Sequence, residues 1–326
     1  DNQTVIVLHG LHPIALPKET LEKHKEIDIV LTNEGYYALH NLLSSDISRH
    51  SWNDNSLNKI KGIGYRINNN IILNEPSLIV PQDKLEIDIG GAAFDLVNFK
   101  KYRTSNWHTN YQDNLVSPYS SIYTSLGCFA QCEYCIINII NRTDNDPNKS
   151  AANFNIFRHF NPEFTIKQLE YLAEQNVKNI KVSDEMFIYK PKHFLTLCDL
   201  IIERKLDLNL WCYSRINTIK EKYLEKLKKA GFNWTGIGLE SGNQKIRTEV
   251  SKGQFTDVDI HEVVDMVHNA GIEIIGNYIF GLGNDTFETM KETYDLACEL
   301  NTLYGNFYTA VALPGSPLYL RAISEG

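Results

Sequence analysis

From residue 118 onward, short runs of branched and aromatic residues alternate with stretches whose apolar positions recur every three to four residues. The first pattern is that of half-buried or buried strands and the second that of amphipathic helices. Strands are predicted over 120–124, 177–183, 208–213, 234–239, 272–280 and 306–312, and helices over 165–175, 192–204, 221–230, 257–270 and 286–300. Within 221–230, Tyr223, Leu224 and Leu227 share one side, and opposite charges stand four apart, as on a surface helix. Gly271 follows the 257–270 stretch as a C-cap. Strand–helix units in this order imply right-handed parallel crossovers and an open or partial (β/α)6 barrel, whose active site would lie at the C-terminal ends of the strands.

Residues 1–45 repeat the alternation on a smaller scale. Val5 to Leu8 is an apolar run, Gly10-Leu11-His12-Pro13 a turn, and 17–24 a short amphipathic helix. A second strand over 27–31 and a turn at Asn33-Glu34-Gly35 precede a helix over 36–43. Two parallel strands cannot enclose a core, so this is read as half of a larger doubly wound domain. The ends agree with a fragment of a longer protein: Asp1 is not an initiator methionine, and Ser324-Glu325-Gly326 falls inside the start of a helix. Between the two regions, 60–67 and 71–73 flank Asn68-Asn69-Asn70, a hairpin turn. Residues 81–111, with Gly90-Gly91 and several aromatics, read as a linker packing across both domains. The expected organisation is 1–50 as a partial Rossmann-like domain, 51–115 as a linker with a hairpin, and 116–326 as the barrel.

Composition narrows the function classes. With 43% hydrophobic and 22% charged residues the chain is globular, and a net charge of −8 argues against a nucleic-acid groove. No apolar run is long enough for a bilayer and no signal peptide opens the chain, so a cytoplasmic protein with no membrane partner is expected. Cys198, Cys212 and Cys298 lie far apart and read as small hydrophobes in a reducing compartment.

The other three cysteines are different. Gly127-Cys128-Phe129-Ala130-Gln131-Cys132-Glu133-Tyr134-Cys135 follows the first barrel strand and carries C-x3-C-x2-C spacing. A loop of that length can set three thiolates around one face of a cubane iron–sulfur cluster and leave one iron open to a small chelating molecule. A zinc site and three unrelated buried cysteines remain the alternatives, although structural zinc ordinarily takes four ligands and no second pair is present.

Polar residues also recur at the predicted strand ends: Ser183-Asp184-Glu185, Tyr213-Ser214-Arg215, Leu239-Glu240-Ser241-Gly242 and Gly281-Leu282-Gly283. Any one of them could be a solvated loop or an ion pair such as Glu240 with Arg215. Together they suit an amino-acid ligand bearing a ribose, with a carboxylate for its ammonium, Arg215 for its carboxylate and a second acid for its hydroxyls.

The order Cys-x3-Cys-x-Tyr-Cys resembles the signature of the radical S-adenosylmethionine (SAM) family. Gly236-Ile237-Gly238-Leu239-Glu240-Ser241-Gly242 and Pro314-Gly315-Ser316-Pro317-Leu318-Tyr319 resemble its strand-four and strand-six elements. At strand five, Gly281-Leu282-Gly283-Asn284-Asp285 lacks the proline usual there. The resemblance implies that Cys128, Cys132 and Cys135 hold a [4Fe–4S] cluster. It further implies that Asp184 or Glu185 takes the SAM amino group, Ser214 and Arg215 its carboxylate and Glu240 its ribose, with Tyr134 near the adenine. Residues 1–45 resemble the C-terminal part of the cobalamin-binding domain that precedes many radical SAM cores. His9-Gly10-Leu11-His12-Pro13 stands where that family has Gly-Gly-x-His-Pro, and Asn33-Glu34-Gly35-Tyr36 where it has Gly-Glu-Gly-Glu.

The implied activity is reductive cleavage of SAM to a 5′-deoxyadenosyl radical. With a cobalamin domain in front, methylation of an unactivated carbon or phosphorus follows as the expected outcome. Cyclisation or rearrangement without methyl transfer, and a non-catalytic iron–sulfur protein, are the alternatives. The implied partners are a small-molecule or biosynthetic-intermediate substrate and a low-potential electron donor such as flavodoxin or ferredoxin.

Overall fold

The computed structural model describes residues 4–45, 54–251 and 258–326. They fall into two units that interleave along the sequence. One comprises Asp1–Lys84, Gly127–Ile156 and Val311–Gly326, the other Leu85–Leu126 and Phe157–Ala310.

The first unit is built on the strands β1 (Val7–Leu8), β2 (Ile29–Leu31), β3 (Ile63–Ile67) and β4 (Asn70–Leu73) in that spatial order. β1 and β2 are parallel, joined through the short helices α1 (Leu11–Ala15) and α2 (Pro17–Lys23). The Gly10–Pro13 turn expected from the sequence is thus the entry to a helix, and Gly10 adopts φ 141° there. After β2 come α3 (Tyr36–Ser44) and α4 (Asp54–Leu57). β3 then pairs with β2 antiparallel, and β4 closes a hairpin through Asn68 and Asn69, both left-handed at φ 49° and 64°. The hairpin therefore extends the parallel pair into a mixed four-stranded sheet. Ile29 and Leu31 face a core with Ala38, Leu42, Ile63 and Tyr65, whereas Val30 faces Leu21 and Ile27. This is the two-residue period of a strand buried on both faces.

The second unit is built on six parallel strands. They are β5 (Tyr119–Ile122), β8 (Asn179–Val182), β9 (Asn209–Arg215), β10 (Phe232–Glu240), β11 (Glu273–Phe280) and β12 (Tyr304–Thr309), and each pairs with the next. A separate antiparallel pair, β6 (Ser125–Leu126) and β7 (Arg158–His159), lies between β5 and β8 in the chain. The connecting helices are α5 (Pro162–Glu174), α6 (Pro191–Glu203), α7 (Glu221–Lys229), α9 (Ile260–Asn269) and α10 (Phe287–Leu300), with α8 (Gln244–Val250) an addition that the sequence pattern missed. Residue 257, where the fourth of these helices was expected to begin, lies outside the described residues; Asp259 caps it by accepting from the Glu262 N–H at 3.1 Å. Gly271 terminates it with φ 70°.

One face of this sheet is packed under helices. Ile180, Val182, Leu210, Cys212, Ile237 and Ile274 meet Leu169, Phe194, Leu197, Leu224 and Val264 in one apolar core. Each such side chain contributes about 1.5–3 kcal/mol on full burial. The core holds the strands in register, so the strand ends occupy defined places. Among the described residues, no helix is long and apolar enough to cross a membrane.

Candidate functional site

The cysteine loop belongs to the first unit, and its shape is set by side chains that hydrogen-bond its backbone. Asn138, on the short 3-10 helix Ile137–Asn141, accepts from the Cys128 N–H at 3.0 Å and donates to the Cys128 carbonyl at 2.8 Å. Its amide nitrogen also donates to Asn155 Oδ1 at 2.8 Å. Gly127 precedes Cys128 at φ 81°, and a Cβ there would lie 2.1 Å from the Ile156 carbonyl, so only glycine passes. The Cys135 N–H donates to the Cys132 carbonyl at 3.1 Å, closing the turn that carries the last two thiols.

The loop is anchored from behind by Arg142, which is 3% exposed. Its guanidinium donates to the Ile14 carbonyl at 3.1 Å and the Asp144 carbonyl at 2.6 Å. Burial lowers its pKa, opposed by Asp144 and Asp146. Ile139, Ala151 and Phe154 pack on Ile14 of α1. The closing helix Pro317–Glu325 ties down the other side: the Leu318 N–H donates to the Glu133 carbonyl at 2.9 Å, and Arg321 pairs with the Glu133 carboxylate at 2.6 Å.

Three thiols in eight residues, with the Ala130 N–H directed at Cys128 Sγ at 3.4 Å, form a donor set suited to thiolate-bound iron. Among the described residues, no three His, Cys, Asp or Glu side chains are grouped as around a single metal ion. A cubane asks for something else, because each thiolate binds its own iron and the thiolates stand further apart. Cys128 is buried, Cys132 and Cys135 are half-buried, and Tyr134 between them is half-buried as well. Cys198 and Cys212 sit in the core of the second unit, where burial pushes the Cys198 thiol up to about 12 and the Cys212 thiol higher still.

The remaining residues picked out from the sequence lie at strand ends of the second unit. Asp184, just past β8, is 1% exposed. Its carboxylate accepts from the Thr124 N–H at 2.6 Å, the Thr124 hydroxyl at 2.5 Å and the Ser125 hydroxyl at 2.6 Å. Burial raises its pKa against these hydrogen bonds. Asp184 thus clamps the chain leaving β5, a structural use its neighbour does not share. Glu185 keeps an exposed side chain, and its pKa is raised first by the surrounding protein and then by Asp184, with Lys181 opposing.

Ser214 and Arg215 end β9, both buried, and the Ser214 hydroxyl lies 2.8 Å from that of Thr235. Arg215 is in register with Gly238 of β10. Glu240 ends β10 in a left-handed conformation, φ 63°, at a register shift between β10 and β11. That backbone turn folds its carboxylate back over Gly238, where a Cβ would meet Oε1 at 2.6 Å. A glycine at 238 therefore makes room for the acid, and Arg215 is the register neighbour of that spot. At strand five, Asp285 holds the turn by accepting from the Gly281 and Leu282 N–H groups at 2.9 and 3.1 Å. A groove of 930 Å³ lined by Leu224, Lys228 and Met266 lies between α7 and α9, away from all these strand ends.

A family model described as the radical SAM superfamily matches residues 122–297, from the end of β5 through the cysteine loop and most of α10. The chain belongs to the radical SAM superfamily. Membership brings a [4Fe–4S] cluster and SAM as cofactors. An uncharacterised methyltransferase of Pyrococcus horikoshii is 26% identical over 98% of this chain and 63% of its own length. The anaerobic magnesium-protoporphyrin IX monomethyl ester cyclase of Rubrivivax gelatinosus is 23% identical over 97% of this chain and 52% of its own. Among solved structures, the radical SAM methyltransferase TsrM of Kitasatospora setae, with cobalamin and a [4Fe–4S] cluster bound, superposes at a TM-score of 0.73. It shares 18% identity, over 98% of this chain and 60% of that one. The chain thus spans about half to two thirds of the length of these relatives. The likeness to TsrM is one of fold. It bears out the expected radical SAM barrel preceded by half of a Rossmann-like domain.

Sequence reasoning missed Asn138, Arg142 and the structural use of Asp184. Asparagine ten residues beyond a cysteine has no recognisable spacing, and a buried arginine bonded to carbonyls is invisible without the fold.

Proposed function

We propose that this chain is the core of a cobalamin-dependent radical SAM methyltransferase. Residues 1–50, with the hairpin of the 51–115 connection extending their sheet, would be the C-terminal half of its cobalamin domain, and the parallel strands within 116–326 the barrel. The observation that carries the proposal is the C-x3-C-x2-C loop within the matched region, its first cysteine held by Asn138 and given an N–H···S bond by Ala130. Cys128, Cys132 and Cys135 would hold the cluster, which when bound supplies one electron to the SAM sulfonium.

The chain's own residues position SAM. Glu185 takes the ammonium, because the Asp184 carboxylate is already occupied by Thr124 and Ser125. Ser214 and Arg215 take the carboxylate and Glu240 the ribose hydroxyls, while Tyr134 borders the adenine. Arg215 and Glu240 lie on adjoining strands with Gly238 between them, which suits a ligand whose carboxylate and ribose are a few bonds apart. Fixing the ligand at both ends is how a protein converts binding into orientation of the breaking bond.

The methyltransferase names among the relatives support transfer of a methyl group to a small-molecule substrate, and the cobalamin in the structural neighbour supports that cofactor. In this chain the turns after β1 and β2, where an open sheet binds ligands, meet through His9 Nε2 and the Asn33 carbonyl at 3.0 Å. A reductant such as flavodoxin or ferredoxin would supply electrons.

A second reading, cyclisation without methyl transfer, is favoured by the cyclase relative. Product analysis separates the two. The complete protein is incubated anaerobically with methyl-labelled SAM, cobalamin, a reductant and cell extract. Label in a small-molecule product other than methionine and methylcobalamin is the expected result, and an unlabelled rearranged product overturns methyl transfer.

A further inference from the structure

Helix α8 stands outside the strand–helix repeat, and its contacts lead back to the turn that carries Glu240. The Ser241 N–H donates to the Leu239 carbonyl at 2.8 Å, closing a three-residue turn around Glu240 at φ 63°. A residue with a Cβ keeps that conformation only where its surroundings hold it. The α8 ladder begins at the Asn243 carbonyl, which accepts from the Arg247 N–H at 3.0 Å, and leaves the carbonyls of Ser241 and Gly242 ahead of it. The Arg247 side chain turns back to them: Nη1 donates to both, at 2.6 Å each.

The other side of the turn is held by α10. Thr293, fully buried, accepts from the Gly242 N–H at 2.9 Å and meets the Ser241 hydroxyl at 3.1 Å. A Cβ on Gly242 would lie 2.2 Å from the Glu292 carbonyl, so the turn rests directly on the α10 backbone. Asn243 joins the same group. Its N–H donates to Ser241 Oγ at 3.1 Å and its side chain to Glu292 Oε2 at 2.8 Å.

Hydrogen bonds from a guanidinium to a carbonyl are stronger than neutral ones, and the half-burial of Arg247 limits the water that could replace them. Burial lowers the Arg247 pKa, and Glu292 opposes this through space. α8 is tied to the next strand end as well, where Glu249 accepts from Asn284 at 2.8 Å. None of these side chains is among the SAM contacts assigned above, yet Arg247, Thr293 and Asn243 all meet at the two residues that follow Glu240.

We propose that Arg247 is a positioning residue for SAM: together with Thr293 it holds the left-handed turn that keeps the Glu240 carboxylate over Gly238, ready for the ribose hydroxyls. Without the Arg247 contacts the turn relaxes toward negative φ and the carboxylate leaves that place. The proposal rests on the assignment of Glu240 to the ribose.

The test is a double-mutant cycle, read by equilibrium dialysis of SAM against the complete, cluster-loaded protein under anaerobic conditions. Glu240→Ala, Arg247→Met and the double variant are compared with wild type, with cluster content and Tm measured on each. Arg247→Met should weaken SAM binding at least about fivefold, within the range for residues coupled through one hydrogen-bond network. In the Glu240→Ala background the same change should cost less than about twofold, because the contact it serves is already gone. Arg247→Lys should recover most of the affinity, since one ammonium can donate to both carbonyls. Thr293→Val removes the support from α10 and should show the same coupling to Glu240, so a poorly folded Arg247→Met does not end the test. Equal losses in both backgrounds, or unchanged SAM affinity in Arg247→Met, overturn the proposal and leave Arg247 serving the fold alone. Unchanged affinity in Glu240→Ala instead removes the ribose assignment, and the proposal falls with it.

Discussion

Replacing Asn138 by alanine should disable the cysteine loop without touching a cysteine. Asn138 is 3% exposed, accepts from the Cys128 N–H at 3.0 Å, and donates to the Cys128 carbonyl and to Asn155 Oδ1, both at 2.8 Å. Its 3.5 Å contact with the Ala130 carbonyl is too long to count. Half-buried Asn155 can turn to water, but the two Cys128 backbone groups lose their partner inside the protein. At about 1–3 kcal/mol for each unmet buried group, and allowing water to fill part of the vacated space, the loss is about 2–4 kcal/mol. That corresponds to a fall in Tm of roughly 3–6 °C for a chain of this length. Asn138→Asp should fare no better, because it keeps the acceptor but turns an oxygen toward the Cys128 carbonyl. The assay is iron and sulfide content of the complete protein after anaerobic reconstitution, with thermal unfolding of the same samples. Full cluster content together with an unchanged Tm in Asn138→Ala would refute the claim that this side chain sets the loop.

Cys128→Ala, Cys132→Ala and Cys135→Ala should each abolish the cluster, whereas Cys198→Ala should retain it; a full cluster in Cys132→Ala sinks the ligand assignment. Arg215→Ala should weaken SAM binding by about 2–4 kcal/mol, roughly thirty- to a thousand-fold, with cluster content intact. Equal SAM affinity by equilibrium dialysis would return Arg215 to a purely structural role. Gly127→Ala should prevent cluster assembly, because its Cβ would lie 2.1 Å from a backbone carbonyl and its φ of 81° disfavours a side chain. Normal reconstitution of that variant would contradict the loop geometry. Burial lowers the pKa of both His108 and His193 to about 4, from an ordinary value of 6.5. Between those values the unfolded chain binds more protons than the folded one, so stability rises with pH across the window and is lost as pH falls toward 4. Each histidine is worth at most about 3 kcal/mol in this way. Urea unfolding between about pH 4 and pH 6.5 should show a shallower pH dependence in His193→Gln, and an unchanged slope would count against the assignment.

What could be read in advance was whatever the chain states locally. Each barrel strand fell within a few residues of its observed place, because alternation and helical spacing report burial directly. The cysteine spacing and the polar strand ends were legible for the same reason: each is contiguous in sequence. The hairpin's attachment to β2 was not, since antiparallel pairing of Ile29 with Tyr65 depends on a contact across 36 positions that no local period encodes. Nor was the division of labour between adjacent acids. Asp184 and Glu185 look equivalent in sequence, and only the approach of Thr124 and Ser125 commits one of them to structure. Arg142 reads as a surface charge until its carbonyl partners come together around it.

Cys128, Cys132 and Cys135 are proposed to hold a cluster with one iron open to SAM. Electron paramagnetic resonance of the complete, reconstituted and reduced protein tests it most directly, with spectra recorded before and after adding SAM. The expected result is a [4Fe–4S]⁺ signal that shifts when SAM chelates the open iron, and no such signal in Cys132→Ala. A wild-type cluster signal that SAM leaves unchanged would contradict it.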